Sequence, residues 1–210
     1  MTTPEKPSRE PVSIDATENL FSGFLRLDRL TVSHDTRDGR RLTVERLIHD
    51  HGNAVAVLPV DPRRRTVLLV RQLRMPVYLN PADAPGAEGG MLVEACAGLI
   101  DGDGEGAAAT AEREAIEELG YRIHDLTKVA EVYMSPGAVT ERVTYFLATY
   151  DGDDDRVADG GGLHHEGEDI EVLEWSCDEL RRALGEGRVH DGKLVVLAQA
   201  LQLAHPHLFA

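Results

Sequence analysis

The stretch "EREAIEELGY", residues 112–121, crowds Glu112, Glu114, Glu117 and Glu118 around a single Arg113. Glu114 and Glu118 stand four apart, so on a helix both carboxylates share a face, with Glu117 beside them. Arg113 is four residues before Glu117, spaced to pair with it and hold it. Like charges one turn apart repel by a few tenths of a kcal/mol per pair in an isolated helix. Either the stretch is an ordinary solvated face, or a strong positive charge sits against it. Upstream, Glu105 lies near the helix start, where a carboxylate favours the dipole. The Gly-rich turn "AGLIDGDGE" before it offers backbone carbonyls towards the same point. Oxygen-only ligands on such a frame suit a hard cation, Mg²⁺ or Mn²⁺, rather than zinc.

A second acidic cluster, "HHEGEDIE" at 164–171, follows "DGDDDRVADGGG". Taken alone it reads as a solvated or flexible surface loop. His164 and His165 are adjacent without other spaced ligands, which is weak support for zinc. Among the remaining charges, Arg46 and Arg71 lie in expected strands and read on their own as exposed strand charges. Lys193 opens a helix, where a cation is mildly unfavourable against the dipole, and that misplacement favours a functional contact. Glu141 follows the "SPGAVT" turn and on its own reads as the start of a strand.

The bulk numbers bound what such a site can serve. A chain of 210 residues fits one domain with a small extra module, and 42% hydrophobic with 28% charged residues is globular composition. The formal net charge of −15 argues against nucleic acid as a partner, because phosphate contacts need clustered Lys and Arg. It leaves open a phosphorylated small molecule, since a divalent cation bridges two anionic partners. No apolar run approaches a membrane span, and "MTTPEKPSRE" does not resemble a signal peptide. Two cysteines, Cys96 and Cys177, form neither a metal pattern nor a disulfide framework, so a reducing cytoplasm is the expected compartment.

The elements that must carry these residues read as mixed α+β. Residues 1–16 lack apolar periodicity and are expected as a mobile tail. "FLRLDRLTVSH" (24–34) and "RLTVERLIH" (41–49) alternate apolar and polar residues around an Asp38-Gly39 hairpin signal. Further strands are expected at 53–60, 65–74, 91–98, 128–134, 141–150 and 170–175, with a mobile or functional loop at 79–90. Residues 107–119 read as a helix stopped by Gly120, and 177–187 and 193–204 as two closing helices. The strands do not alternate regularly with helices, and no internal repeat is visible.

Gly98, six residues, Glu105, seven residues and then "REAIEELG" resembles the signature box of the Nudix hydrolases, with one residue more than usual between Gly98 and Glu105. "VLLVRQLR", "VEACAGLID", "EVYMSPGAVTE", "GGGLHHEGEDIEVLEW" and "DGKLVVL" extend the likeness over about residues 40–200, towards the GDP-mannose pyrophosphatase branch of the nucleoside-diphosphate-sugar hydrolases. The resemblance implies an α+β Nudix fold, a mixed sheet sandwiched between helices, with an additional N-terminal antiparallel sheet. It divides the chain into a tail (1–16), an N-terminal β region for dimerisation (17–50) and a Nudix domain (51–205). It implies that Glu114, Glu118, Glu168 and the main-chain carbonyl of Ala97 hold Mg²⁺, with Mn²⁺ as a substitute. By the same likeness Glu117 supports the ligands, Arg113 orients Glu117, and Glu166 is the catalytic base on a loop whose mobile Gly-rich lead-in lets it close. Arg46, Arg71, Glu141 and Lys193 would touch substrate. The implied reaction is hydrolysis of a nucleotide sugar by a homodimer, with GDP-mannose giving GMP and mannose 1-phosphate. ADP-ribose or UDP-sugar hydrolysis, or a non-catalytic Nudix regulator, are the alternatives.

Overall fold

The computed structural model describes residues 10–81, 85–100, 104, 106–163 and 167–209. Glu105, His164, His165 and Glu166 lie outside these residues. The chain divides into two compact units, one of residues 10–52 with Tyr133–Glu141, the other of Asn53–Val132 with residues 142–209.

The first unit is an antiparallel sheet of β1 (Val12–Ser22), β2 (Arg26–Asp35) and β3 (Arg41–Asp50), in that order. β2 and β3 pair without interruption from Arg26↔Asp50 to Asp35↔Arg41. The expected turn closes them, with Gly39 at φ 82° and its amide on the Thr36 carbonyl at 2.9 Å. β1 corrects the tail expected over residues 1–16, because the strand already begins at Val12. Val12, Ile14 and Ala16 alternate with Ser13, Asp15 and Thr17, a short period-two pattern that stops there, although the side chains are exposed along nearly all of the strand. Pairing with β2 orders it instead, with irregularities after Ile14 and Asn19. Residues 133–141, expected within a continuous 51–205 domain, group with this sheet. The His49 amide donates to the Ala138 carbonyl at 2.8 Å and the Thr140 amide to the His49 carbonyl at 3.0 Å.

The second unit is built on a seven-stranded mixed sheet. Its strands are β4 (Ala54–Asp61), β5 (Thr66–Leu73), β6 (Met91–Glu94), β7 (Cys96–Leu99), β8 (His124–Tyr133), β9 (Arg142–Thr149) and β10 (Glu171–Ser176). The order is β10-β5-β4-β9-β8, with β6 beside β5 and β7 beside β4. β4 runs parallel to β9 and antiparallel to β5 and β7. The helices are α1 (Met75–Leu79), α2 (Ala107–Glu114), α3 (Cys177–Gly185) and α4 (Gly192–Ala204).

All eight residues of β4 are buried, the mark of a strand covered on both faces. Ala54, Ala56, Leu58 and Val60 face Leu180 of α3 and Leu194, Leu197 and Leu201 of α4. Val55 and Val57 turn the other way, towards Ala111 of α2 and Ala115 and Leu119 beyond it. The sheet is thus sandwiched between helices. The single strand expected at 91–98 is broken at Ala95, because the chain changes partner there. Glu94 pairs with Val70 of β5, Cys96 with Val57 of β4, and the Ala95 amide donates to Asp191 Oδ2 at 3.2 Å. Among the described residues no helix is long and apolar enough to cross a membrane.

Candidate active site

The acidic helix is where packing places the carboxylates. Ala111 and Ala115 are fully buried against the sheet, bringing the helix backbone close to β7. Gly98 on β7 completes that approach, since a Cβ there would overlap the Glu114 carboxylate. The helix is not α throughout as expected. Ala115–Leu119 form a π turn carrying Glu117 and Glu118, a local widening that is frequent at functional sites. Gly120, at φ 81°, ends it in the left-handed conformation, its amide on the Ile116 carbonyl at 3.0 Å.

Glu118 is only 3% exposed. Its Oε2 accepts the Ala97 amide at 3.1 Å, and the Cys96 thiol hydrogen-bonds to the same carboxylate. Burial pushes its pKa up to about 8; the Cys96 and Ala97 donors oppose this, while the charges of Glu114 and Glu168 add to it. Burial likewise raises Glu114 to about 7, opposed by Arg113 and reinforced by Glu117 and Glu168. Arg113 reaches two carboxylates rather than the one expected, Glu117 Oε2 at 2.6 Å and Glu114 Oε1 at 2.9 Å. In a strand a residue's amide and carbonyl leave on the same edge, so Ala97 presents its carbonyl on the edge that meets Glu118.

Glu168 is held by its own loop, its Oε2 accepting the Leu163 amide at 2.8 Å. The lead-in to that loop, expected to be mobile, is tied down. The amides of Gly161 and Gly162 donate to the carbonyls of Glu118 and Glu117 at 2.9 and 3.1 Å. Among the described residues no three His, Cys, Asp or Glu side chains stand close enough to hold a metal ion as placed. The donor chemistry nevertheless fits a cation. Glu114, Glu118 and Glu168 are carboxylates whose charges act on one another, two of them with proton affinities raised towards neutrality. A divalent ion takes the place of protons in such a set and suits oxygen donors.

Lys193 sits in a second network. Its Nζ lies 3.0 Å from Glu94 Oε2 and 2.8 Å from Asp191 Oδ1, and Arg74 Nε lies 2.6 Å from Glu94 Oε1. Asp191 also caps α4, accepting the amides of Lys193 and Leu194 at 3.1 Å. The cation at a helix start is therefore compensated by two buried carboxylates. Arg74 also feels the charge of Glu118, which sets this network beside the acidic helix. Arg71 pairs across the β5–β10 ladder with Glu171 at 3.2 Å. In the first unit, Arg46 is exposed on β3, and Glu141 Oε1 accepts a hydrogen bond from His51 Nε2 at 3.1 Å. The structure thus brings together Arg113, Glu114, Glu117, Glu118, Ala97 and Glu168. Arg46 and Glu141 belong to the other unit.

Sequence reasoning missed Glu94, Arg74, Asp191 and Cys96. Two of them had a signal: Glu94 is a lone charge in the apolar run "MLVEACAG", and Asp191 stands where a helix N-cap belongs.

Residues 50–196 match the NUDIX domain. The chain is 38% identical over 186 residues to the GDP-mannose pyrophosphatases of Shigella dysenteriae serotype 1 (strain Sd197), Escherichia coli O157:H7 and Escherichia coli O1:K1 / APEC, which covers 89% of this chain and 92% of each relative. With the family matched over most of its length and its acidic helix set against β7, the chain belongs to the Nudix family.

Proposed function

We propose that this protein hydrolyses the pyrophosphate bond of GDP-mannose, giving GMP and mannose 1-phosphate, with Mg²⁺ as its metal and Mn²⁺ as a substitute. Family membership and the similarity to GDP-mannose pyrophosphatases make the chain a Nudix pyrophosphohydrolase; the sugar, the base and the metal are the proposal. The observation that carries it is the buried Glu118 beside the part-buried Glu114, both within the field of Glu168, a concentration of carboxylates that suits a cation.

Glu114, Glu118, Glu168 and the Ala97 carbonyl would hold the metal, which when bound neutralises the diphosphate and stabilises charge on the leaving oxygen. Arg113 keeps Glu114 and Glu117 in place. Glu166 takes a proton from the attacking water as its oxygen bonds to phosphorus; the bridging P–O bond breaks, releasing the two monophosphates. Arg46, Arg71, Glu141 and Lys193 are assigned to substrate contact, Lys193 by exchanging one of its carboxylate partners for a phosphate or sugar oxygen.

The working form is a homodimer joined through the N-terminal β region, in the cytoplasm. Support for the dimer comes from apolar side chains left open on that sheet and its first turn, Ile14 (62% exposed) and Phe21 (53%) on β1 and Phe24 (84%) between β1 and β2. Hydrolysis of ADP-ribose or a UDP-sugar is the second enzymatic reading, and non-catalytic nucleotide binding the third. Retention of Glu105, Glu114, Glu117, Glu118, Glu166 and Glu168 speaks against the last. A panel of GDP-mannose, ADP-ribose and UDP-glucose, run with Mg²⁺ and with chelator, separates them. A specificity constant for ADP-ribose tenfold or more above that for GDP-mannose, about 1.4 kcal/mol of transition-state preference, overturns the assignment.

A further inference from the structure

Gly160, Gly161 and Gly162 carry φ angles of 71°, 102° and 78°, a backbone that residues with side chains rarely adopt. The run lies against the end of the acidic helix, whose last carbonyls lack partners within the helix. Loop amides take them up: Gly161 donates to Glu118, Gly162 to Glu117, and Val157 and Ala158 both donate to Gly120, at 2.9, 3.1, 2.8 and 3.1 Å. At the two ends of the run the fit leaves no room for a side chain. A Cβ at Gly160 would stand 2.7 Å from the Glu118 carbonyl oxygen. One at Gly162 would stand 2.5 Å from Glu168 Oε2, 2.8 Å from Glu168 Cβ and 2.9 Å from Ile170 Cδ1. One end of the run therefore touches the main chain that carries Glu117 and Glu118, and the other touches the Glu168 carboxylate.

We propose that Gly160–Gly162 is a positioning clamp that fixes the backbone of the Glu168 loop against the acidic helix, so that side-chain movement alone brings its carboxylate together with Glu114 and Glu118 around one divalent cation. This rests on the reading of Glu168 as a metal ligand. A clamp is needed because the three carboxylates repel one another, and a freely hinged loop would relax by carrying Glu168 away. Four backbone hydrogen bonds to the helix end oppose that movement, and glycine is required at 160 and 162 because a Cβ there would part the loop from the helix or push Glu168 aside.

The test is Mn²⁺ binding by calorimetry to the full chain and its variants, with folding checked by circular dichroism. Gly162→Ala should weaken binding by about 10–100-fold, the usual cost of disturbing a group that orients a metal ligand. Gly187→Ala is the control for strain alone, because Gly187 has φ 70° and nothing within reach of a new Cβ; it should bind normally. Gly162→Ala with Ile170→Val relieves the contact on the core side and keeps the one on Glu168, so the defect should persist there if the single variant folds poorly. Gly162→Ala added to Glu168→Gln should weaken binding no further than Glu168→Gln alone, since the clamp acts only through that carboxylate. If Glu168→Gln loses affinity while both Gly162 variants bind like Gly187→Ala, the clamp is overturned and the ligand stands. Unchanged binding in Glu168→Gln overturns the ligand, and the clamp with it.

Discussion

Replacing Glu94 by Gln tests whether the Arg74–Glu94–Lys193–Asp191 network is a structural support of the site. The Glu94 side chain is 2% exposed and accepts Arg74 Nε at 2.6 Å, Arg74 Nη2 at 3.2 Å and Lys193 Nζ at 3.0 Å. Burial alone would raise its pKa; the hydrogen bond from Arg74 and the charges of Lys193 and Arg74 outweigh burial and hold it below the ordinary value of 4.5. Removing one member of a buried pair costs about 3–5 kcal/mol. Two features reduce that here: Arg74 is 42% exposed and can turn to water, and Asp191 remains to pair with Lys193. The expected loss is therefore about 2–3 kcal/mol, or roughly 5–10 °C in melting temperature for a chain of this size. The sign with pH follows from the depressed pKa. The stabilisation is present above about pH 4.5 and is lost as pH falls through the folded-state value. The wild-type chain should therefore lose stability on acidification more steeply than Glu94→Gln. Thermal melts with chelator at pH 7 and at pH 4 measure both. A melting temperature within ~1 °C of wild type at pH 7 would refute the reasoning, and so would parallel acid limbs.

Three further outcomes follow from the site. Glu118→Gln should keep the fold and lose divalent-ion binding and turnover; calorimetry showing unchanged Mg²⁺ or Mn²⁺ binding would remove Glu118 from the ligand set. Glu166→Gln should lower kcat by about 10²–10⁴-fold with little change in KM and with metal binding retained. Near-normal turnover there, with collapse in His165→Ala or Glu117→Gln, would assign the base elsewhere. Light scattering should report a dimer, and a stable species of 23.0 kDa at working concentration would contradict the role given to the N-terminal sheet.

What the sequence disclosed were features written in local spacing. The i, i+4 glutamates, the Arg113 that pairs with Glu117, the stop at Gly120 and the Asp38-Gly39 turn are each set by residues within about one turn of helix or hairpin. What it concealed depends on partners far away. Lys193 looks misplaced at a helix start until Glu94, distant in the chain, is folded against it. Ala95 reads as mid-strand because only the sheet order shows that the chain changes partner there. β1 escaped because the alternation of Val12, Ile14 and Ala16 with Ser13, Asp15 and Thr17 is short and gives way to the polar run Thr17–Asn19. The π turn has no sequence signature, and "GGG" in an acidic stretch reads as flexibility until the carbonyls it caps are seen.

The central claim is the bond that is cut and the metal that the cut requires. Incubation of the 210-residue chain with GDP-mannose and Mg²⁺, with products separated by anion exchange and identified by phosphorus NMR, addresses both at once. The account predicts equimolar GMP and mannose 1-phosphate, abolished by chelator and restored by excess Mg²⁺ or Mn²⁺. Release of GDP and free mannose, or turnover indifferent to chelator, would contradict it.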